Sequence, residues 1–425
     1  MTKAGRLVAR AKMLGSFASI QAFAQAIGVV SGLLLVRTLS RSEYAFFTII
    51  NSVQSTMALL ADTGLSIGLS SIGGNVWRDR HRFGQLVATT MHLRRYLAGA
   101  ATAIVTPILV WVLISNGCSH AATAALTVAA LVGFSFQIRT GVLVMVPRLL
   151  SQIGRVQAAD VVSATARLAL VVVAYVVFLN AVTAVAASVV ALALQYFLVR
   201  RWVARDIDLH APIHEEDRKA LLRIVKQAIP TTVFHCLQGQ IVVWLMTIVG
   251  STQSVAEVGA LGRLSILFSI IVSVMTTIVV PHFARCQEAW LLRRRFVQVT
   301  AGFTAFGAAL ILFAALFPDA LLWILGAKYA LLHRELVLMM TFTAVNSISG
   351  AMWSLNSSKA WIEYVWLHIP STLLMQAVLL MTVNVSTLQG ALWFGTFSVL
   401  PSIVLNAVLA VRGLRSAART VSTPP

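Results

Sequence analysis

Residues 200–227 read RRWVARDIDLHAPIHEEDRKALLRIVKQ, the largest polar stretch of the chain, and it divides six long apolar runs from six others. A bilayer core of about 30 Å takes roughly 20 apolar residues of helix. By that measure the runs before the stretch fall at 14–36, 45–73, 96–115, 121–146, 156–179 and 181–199. Those after it fall at 229–249, 258–282, 297–317, 335–355, 362–384 and 388–411. The second run is long and rich in Gly and Ser, so a tilt or a local break is expected there. The chain therefore reads as an all-α polytopic membrane protein of twelve transmembrane helices. Residues 1–199 form an N-terminal six-helix bundle, 200–228 a cytoplasmic linker and 229–425 a C-terminal six-helix bundle.

Composition points the same way. Of 425 residues, 58% are hydrophobic and 11% charged, against about 45–50% and about 25% in soluble domains. So few charges cannot cover a water-exposed surface, which excludes a soluble enzyme, a disordered protein and a nucleic-acid-binding domain. The net charge of +19 reports orientation instead. With the N-terminus inside, 26 of the 33 Lys and Arg fall in cytoplasmic segments, four in outer segments and three inside spans. That asymmetry is the positive-inside pattern and places both termini in the cytoplasm.

No enzyme signature is present: no phosphate-binding lysine loop, no HExxH and no GxSxG. Cys118, Cys236 and Cys286 are widely spaced, and the His residues lack metal-ligand spacing. No metal or cofactor is expected. Without a nucleotide site, active transport would draw on an ion gradient or on the gradient of the substrate.

Ionisable residues inside spans are the informative ones, because each costs at least about 2.5–3.5 kcal/mol at the bilayer centre. Arg167 lies halfway along the fifth span, Arg139 two turns above the inner end of the fourth, and Arg263 near the outer end of the eighth. Arginine holds phosphate oxygens bidentately, so three of them facing a cavity would suit an anionic headgroup. For Arg139 and Arg263 the alternative is snorkelling to the nearest interface. Asp62, deep in the second span, could bind a coupling proton or Na⁺, hold an arginine in place, or make a structural hydrogen bond. Counted this way, intramembrane arginines outnumber acids three to one, and Glu363 is assigned to the interface. Gln21 and Gln25 share a face of the first helix, and the seventh carries His235, Gln238 and Gln240. These amides and the imidazole could face sugar hydroxyls or serve as packing contacts. A short echo at an offset of 214 sets Ser40 on Ser254 and Glu43 on Glu257, as expected of two repeated halves.

The first two spans contain Arg37, Leu39-Ser40, Glu43-Tyr44-Ala45 and Asp62-Thr63-Gly64-Leu65. This pattern resembles the opening of bacterial polysaccharide flippases of the O-antigen (Wzx) type, in which a Gly stands where this chain has Ala45. Val258-Gly259, Arg263-Leu264 and Pro281 resemble that family's eighth helix. An acidic residue frequent in its seventh helix is absent around Gln240. The superfamily it resembles joins multidrug exporters, oligosaccharidyl-lipid flippases and polysaccharide exporters. The resemblance implies two six-helix bundles in a MATE-like V shape and alternating access across the bacterial inner membrane. The implied substrate is an undecaprenyl-pyrophosphate-linked oligosaccharide, with membrane lipids, a polysaccharide polymerase and glycosyltransferases as further partners. A multidrug exporter of the same fold and a non-transporting scaffold for glycan assembly are the alternative readings.

Overall fold

The computed structural model describes residues 23–421, apart from Ser151, scattered positions between 266 and 287, and residues 360, 362 and 363. Gln21, Pro281 and Glu363 lie outside the described residues, as does most of the side chain environment around His235. Every regular element described is helical. Packing divides the chain into two compact units, Met1–Gln240 and Ile241–Pro425. Eight helices are long and apolar enough to cross a membrane, and two shorter apolar ones are Phe23–Thr38 and His368–Thr382. Of the expected spans, the runs 14–36 and 258–282 fall partly outside the described residues, and the run 229–249 is interrupted at Gln240.

The first unit contains α1 (Phe23–Thr38), α2 (Arg41–Asp62), α3 (Leu65–Val76), α4 (Arg80–Ser115), α5 (His120–Leu143), α6 (Met145–Leu149), α7 (Ile153–Val177), α8 (Ala181–Asp206) and α9 (Glu215–Gly239). The apolar run 45–73 breaks between α2 and α3, where Thr63 has φ 27° and Gly64 φ 81°. Glycine adopts that left-handed conformation without a Cβ clash, so the Thr63-Gly64 pair ends α2 and lets α3 start on a new axis. Helix α4 has 36 residues, about 54 Å at 1.5 Å per residue, far more than the bilayer core requires. Its N-terminal turns therefore extend past the apolar run that begins at residue 96.

Those extra turns hold the segment 206–217. Phe83 and Leu86 of α4 join Leu65, Leu69, Ile207 and Leu221 in one buried cluster. A Cβ on Gly84 would sit 2.2 Å from the carbonyl oxygen of Asp208, so only glycine lets the loop lie against α4 there. Arg82 grips Asp217 with both Nη atoms, at 2.5 and 2.8 Å. The His214 amide donates to Thr89 Oγ1 at 3.0 Å, and Arg155 of α7 pairs with Asp206 at 2.6 Å. The amide of His210 and the ring of His81 hold the exposed Asp208 carboxyl below the usual carboxylate range. That small contribution is present above the ordinary Asp pKa and is lost as pH falls through the lowered value.

The end of the unit where α1 meets α2 shows what the Ser-Glu-Tyr motif does. Ser40 caps α2 by accepting the Glu43 amide at 3.2 Å. The Glu43 carboxylate in turn accepts the amide of Ala181, the first residue of α8, at 2.5 Å. Acidic groups at a helix N-terminus satisfy orphan N–H donors and oppose the helix dipole. Glu43→Ala should lower stability by about 1 kcal/mol, read as a lower melting temperature of the purified protein, with Glu43→Gln retaining most of it.

The second unit contains α10 (Ile241–Ile248), α11 (Thr252–Leu264), α12 (Ala289–Leu316), α13 (Pro318–Leu325), α14 (His333–Ser358), α15 (His368–Thr382), α16 (Leu388–Ser398) and α17 (Leu400–Val421). Helix α14 packs on α12, α16 and α17. Asn356 and Asn406 are buried between α14 and α17, where Asn356 Nδ2 donates to the Asn406 carbonyl at 2.9 Å. Ser349, two turns before Asn356 on α14, donates to Ser402 at 2.9 Å. Such polar pairs hold helices in register in an apolar solvent. Ser251 caps α11 through the Ser254 amide, as Ser40 caps α2. The two caps lie 211 residues apart, so the echo read at 214 is out of register with them by about one helical turn.

Candidate functional site

Asp62 is the last residue of α2, placed there by the Thr63-Gly64 break. Arg94 lies four turns into α4 and is 7% exposed. Its Nη2 reaches Asp62 Oδ1 at 3.2 Å, and Ser66 of α3 donates to the same oxygen at 2.5 Å. The C-terminal carbonyls of α2 add partial negative charge beside the guanidinium. Gly141 of α5 makes room for it, because a Cβ at that position would lie 3.1 Å from Nη1. Arg94 lies before the apolar run that begins at residue 96, and hydropathy gives it no role; α4 begins at Arg80 and carries Arg94 into the helix packing.

These groups form one side of an open cavity of about 840 Å³ in the first unit. Ser70, Ser71 and Arg148 complete the polar lining, and Ala58, Leu59 and Met145 supply apolar wall. Arg148, on α6, is exposed at this cavity, and its described hydrogen bonding is a long contact of 3.9 Å to the Met145 sulfur. Asp160 of α7 is half-buried, accepts from Gln195 of α8 at 2.9 Å, and lies within electrostatic reach of Arg148. It is a second carboxylate inside an apolar helix, so the three-to-one count of arginines over acids was one acid short. Its position seven residues before Arg167, in the stretch ADVVSATAR, was the available signal.

The other candidates are spread over different places. Arg167 stands 6.0 Å from the Phe47 ring, a cation–π distance between α7 and α2. Arg139 is half-buried on α5 and makes no ion pair among the described residues. Arg263 occupies the last turn of α11, in the second unit. Gln240 Oε1 accepts from Ser52 of α2 at 2.9 Å. Gln25 and Gln238 are half-buried on α1 and α9. Gln21 and the His235 side chain fall outside the described residues. None of the three predicted arginines lines the cavity; Arg94 and Arg148 do.

No protein-family profile matches this sequence. No curated protein matches it either. Solved structures do. A MATE transporter in complex with MaD3S is 16% identical, with a TM-score of 0.57 over 96% of this chain and 95% of its own. An outward-facing multidrug-resistance MATE transporter of the MOP superfamily is 17% identical, with a TM-score of 0.58 over 96% and 94%. A MOP-superfamily transporter from Pyrococcus furiosus, described as having a binding pocket of reversed polarity, is 16% identical, with a TM-score of 0.59 over 96% and 94%. At these identities the likeness is one of fold: the chain is a multi-pass membrane protein with the fold of MATE-type transporters.

Proposed function

We propose that the chain exports an anionic amphiphile, an undecaprenyl-pyrophosphate-linked oligosaccharide, by alternating access across a bacterial inner membrane with both termini cytoplasmic. One observation carries this reading. The cavity in the first unit is lined by two guanidinium groups and a single carboxylate, and that carboxylate is already engaged with one of them. The balance favours a ligand bearing negative charge, and the Ser71 hydroxyl on α3 is a further donor for its oxygens. A cationic drug entering the same cavity would meet an exposed, weakly engaged arginine. The multidrug reading shares the fold and would rely on Asp62 and Asp160.

Deleting the gene tests the reading. Lipid-linked glycan should accumulate on the inner leaflet, whereas accumulation on the outer leaflet would overturn it. Loss of drug resistance with normal glycan export would transfer the chain to the multidrug class. In the same strain Arg148→Ala, at the cavity wall, should insert normally yet lose export, and near-normal surface glycan would remove Arg148 from the mechanism.

A further inference from the structure

We infer that the cavity between α2, α3, α4 and α6 is a subsite for a phosphate or diphosphate group, gripped by Arg94 and Arg148, and that Asp62 holds Arg94 in place until the anion displaces it. A guanidinium has five N–H donors. Arg94 is more than nine-tenths buried, yet its pairing with Asp62 is a single contact at 3.2 Å, and its Nε meets no acceptor among the described residues. A buried donor left unmade is costly, so such an arrangement is expected where a ligand completes the set. Gly141 keeps the guanidinium face clear of a side chain.

The surroundings fit exchange of one anion for another. Asp62 keeps the Ser66 hydroxyl when Arg94 turns away, so the carboxylate does not lose all its partners. Arg148 at the same cavity has a long thioether contact to give up, and Asp160, its electrostatic neighbour, is hydrogen-bonded to Gln195. Ser71 adds a hydroxyl on α3 just over one helical turn beyond Ser66, while Ser70 donates its own to the Ser66 carbonyl at 2.8 Å. Leu59 and Met145 offer an apolar wall beside the charged groups, as an isoprenoid or acyl chain attached to the phosphate requires. Phosphate on a lipid and free inorganic pyrophosphate share this chemistry.

The site rests on the anionic-cargo reading but fails separately from it. Purified protein in nanodiscs of zwitterionic lipid is titrated calorimetrically with inorganic pyrophosphate and, in a second arm, with farnesyl pyrophosphate. Saturable binding of either supports the subsite. Tighter binding of the farnesyl compound assigns a lipid headgroup, and equal affinity assigns the free anion. Arg148→Gln should weaken binding about tenfold or more, and unchanged affinity would refute its role. Asp62→Asn should tighten pyrophosphate severalfold by removing the competing anion; weaker binding would refute the exchange. Since losing Arg94 alone strands Asp62, the Arg94→Gln/Asp62→Asn pair carries that arm, with binding again about tenfold weaker in a folded protein. Absence of binding in both arms removes the subsite even if deletion traps glycan on the inner leaflet. Binding with outer-leaflet accumulation keeps the subsite and removes the flippase reading.

Discussion

Arg82→Ala should destabilise the first unit by about 3 kcal/mol, the low end of the range for stripping one partner from a buried ion pair. Asp217 is the group that suffers, since its side chain is 6% exposed while that of Arg82 is 27% exposed. The pair is bidentate, and it ties the first turn of α9 to the first turn of α4. Without it, the buried carboxylate is left with the His214 ring, whose Nδ1 lies 3.7 Å from Oδ1. The measurement is thermal unfolding of the purified protein together with protease cleavage in 206–217, which should accelerate in step. Arg82→Met with Asp217→Leu should recover most of the loss, because two apolar groups of similar volume cost nothing in desolvation. An undiminished melting temperature in Arg82→Ala would show that the contact is dispensable.

Arg94→Leu should produce two separable effects. Stability falls by about 2–3 kcal/mol, less than for a fully enclosed pair, because the Asp62 side chain is 30% exposed and keeps Ser66. Export falls at least about tenfold, the consequence of losing one charge-assisted anchor for an anion. Adding Asp62→Asn removes the stranded carboxylate and should return stability to within about 1 kcal/mol of the native protein, while export stays low. Rescue of both quantities by the double variant would mean that Arg94 serves only to neutralise Asp62. Melting curves and an export assay on the same three proteins decide between the two roles.

The residues that escaped the sequence reading did so for a common reason. Arg94 falls outside the apolar run, which starts at residue 96, whereas the helix starts at Arg80. Hydropathy shows where a helix becomes apolar and is silent on where it begins. Asp160 was passed over because the apolar residues after it dominate the window. The Asp62-Thr63-Gly64 pattern was visible and its polarity noted, but its use as a helix end that aims Asp62 at α4 depends on backbone angles of Thr63 and Gly64. Glu43 read as part of a motif, and its task of receiving the Ala181 amide needed the turn between α7 and α8 to be in place.

The sequence by itself determined the class, the helical content and the biased distribution of basic charge, because each is a sum over neighbouring residues and the bilayer responds to such sums. Which charges meet was decided only by the tertiary structure. Arg82 finds Asp217 across 135 residues, and Arg94 finds Asp62 from another helix, because depth along α4 and rotation about its axis are set by packing. Two arginines of equal hydropathy thus end in different roles: Arg167 beside the Phe47 ring, and Arg94 against a carboxylate at the wall of a cavity.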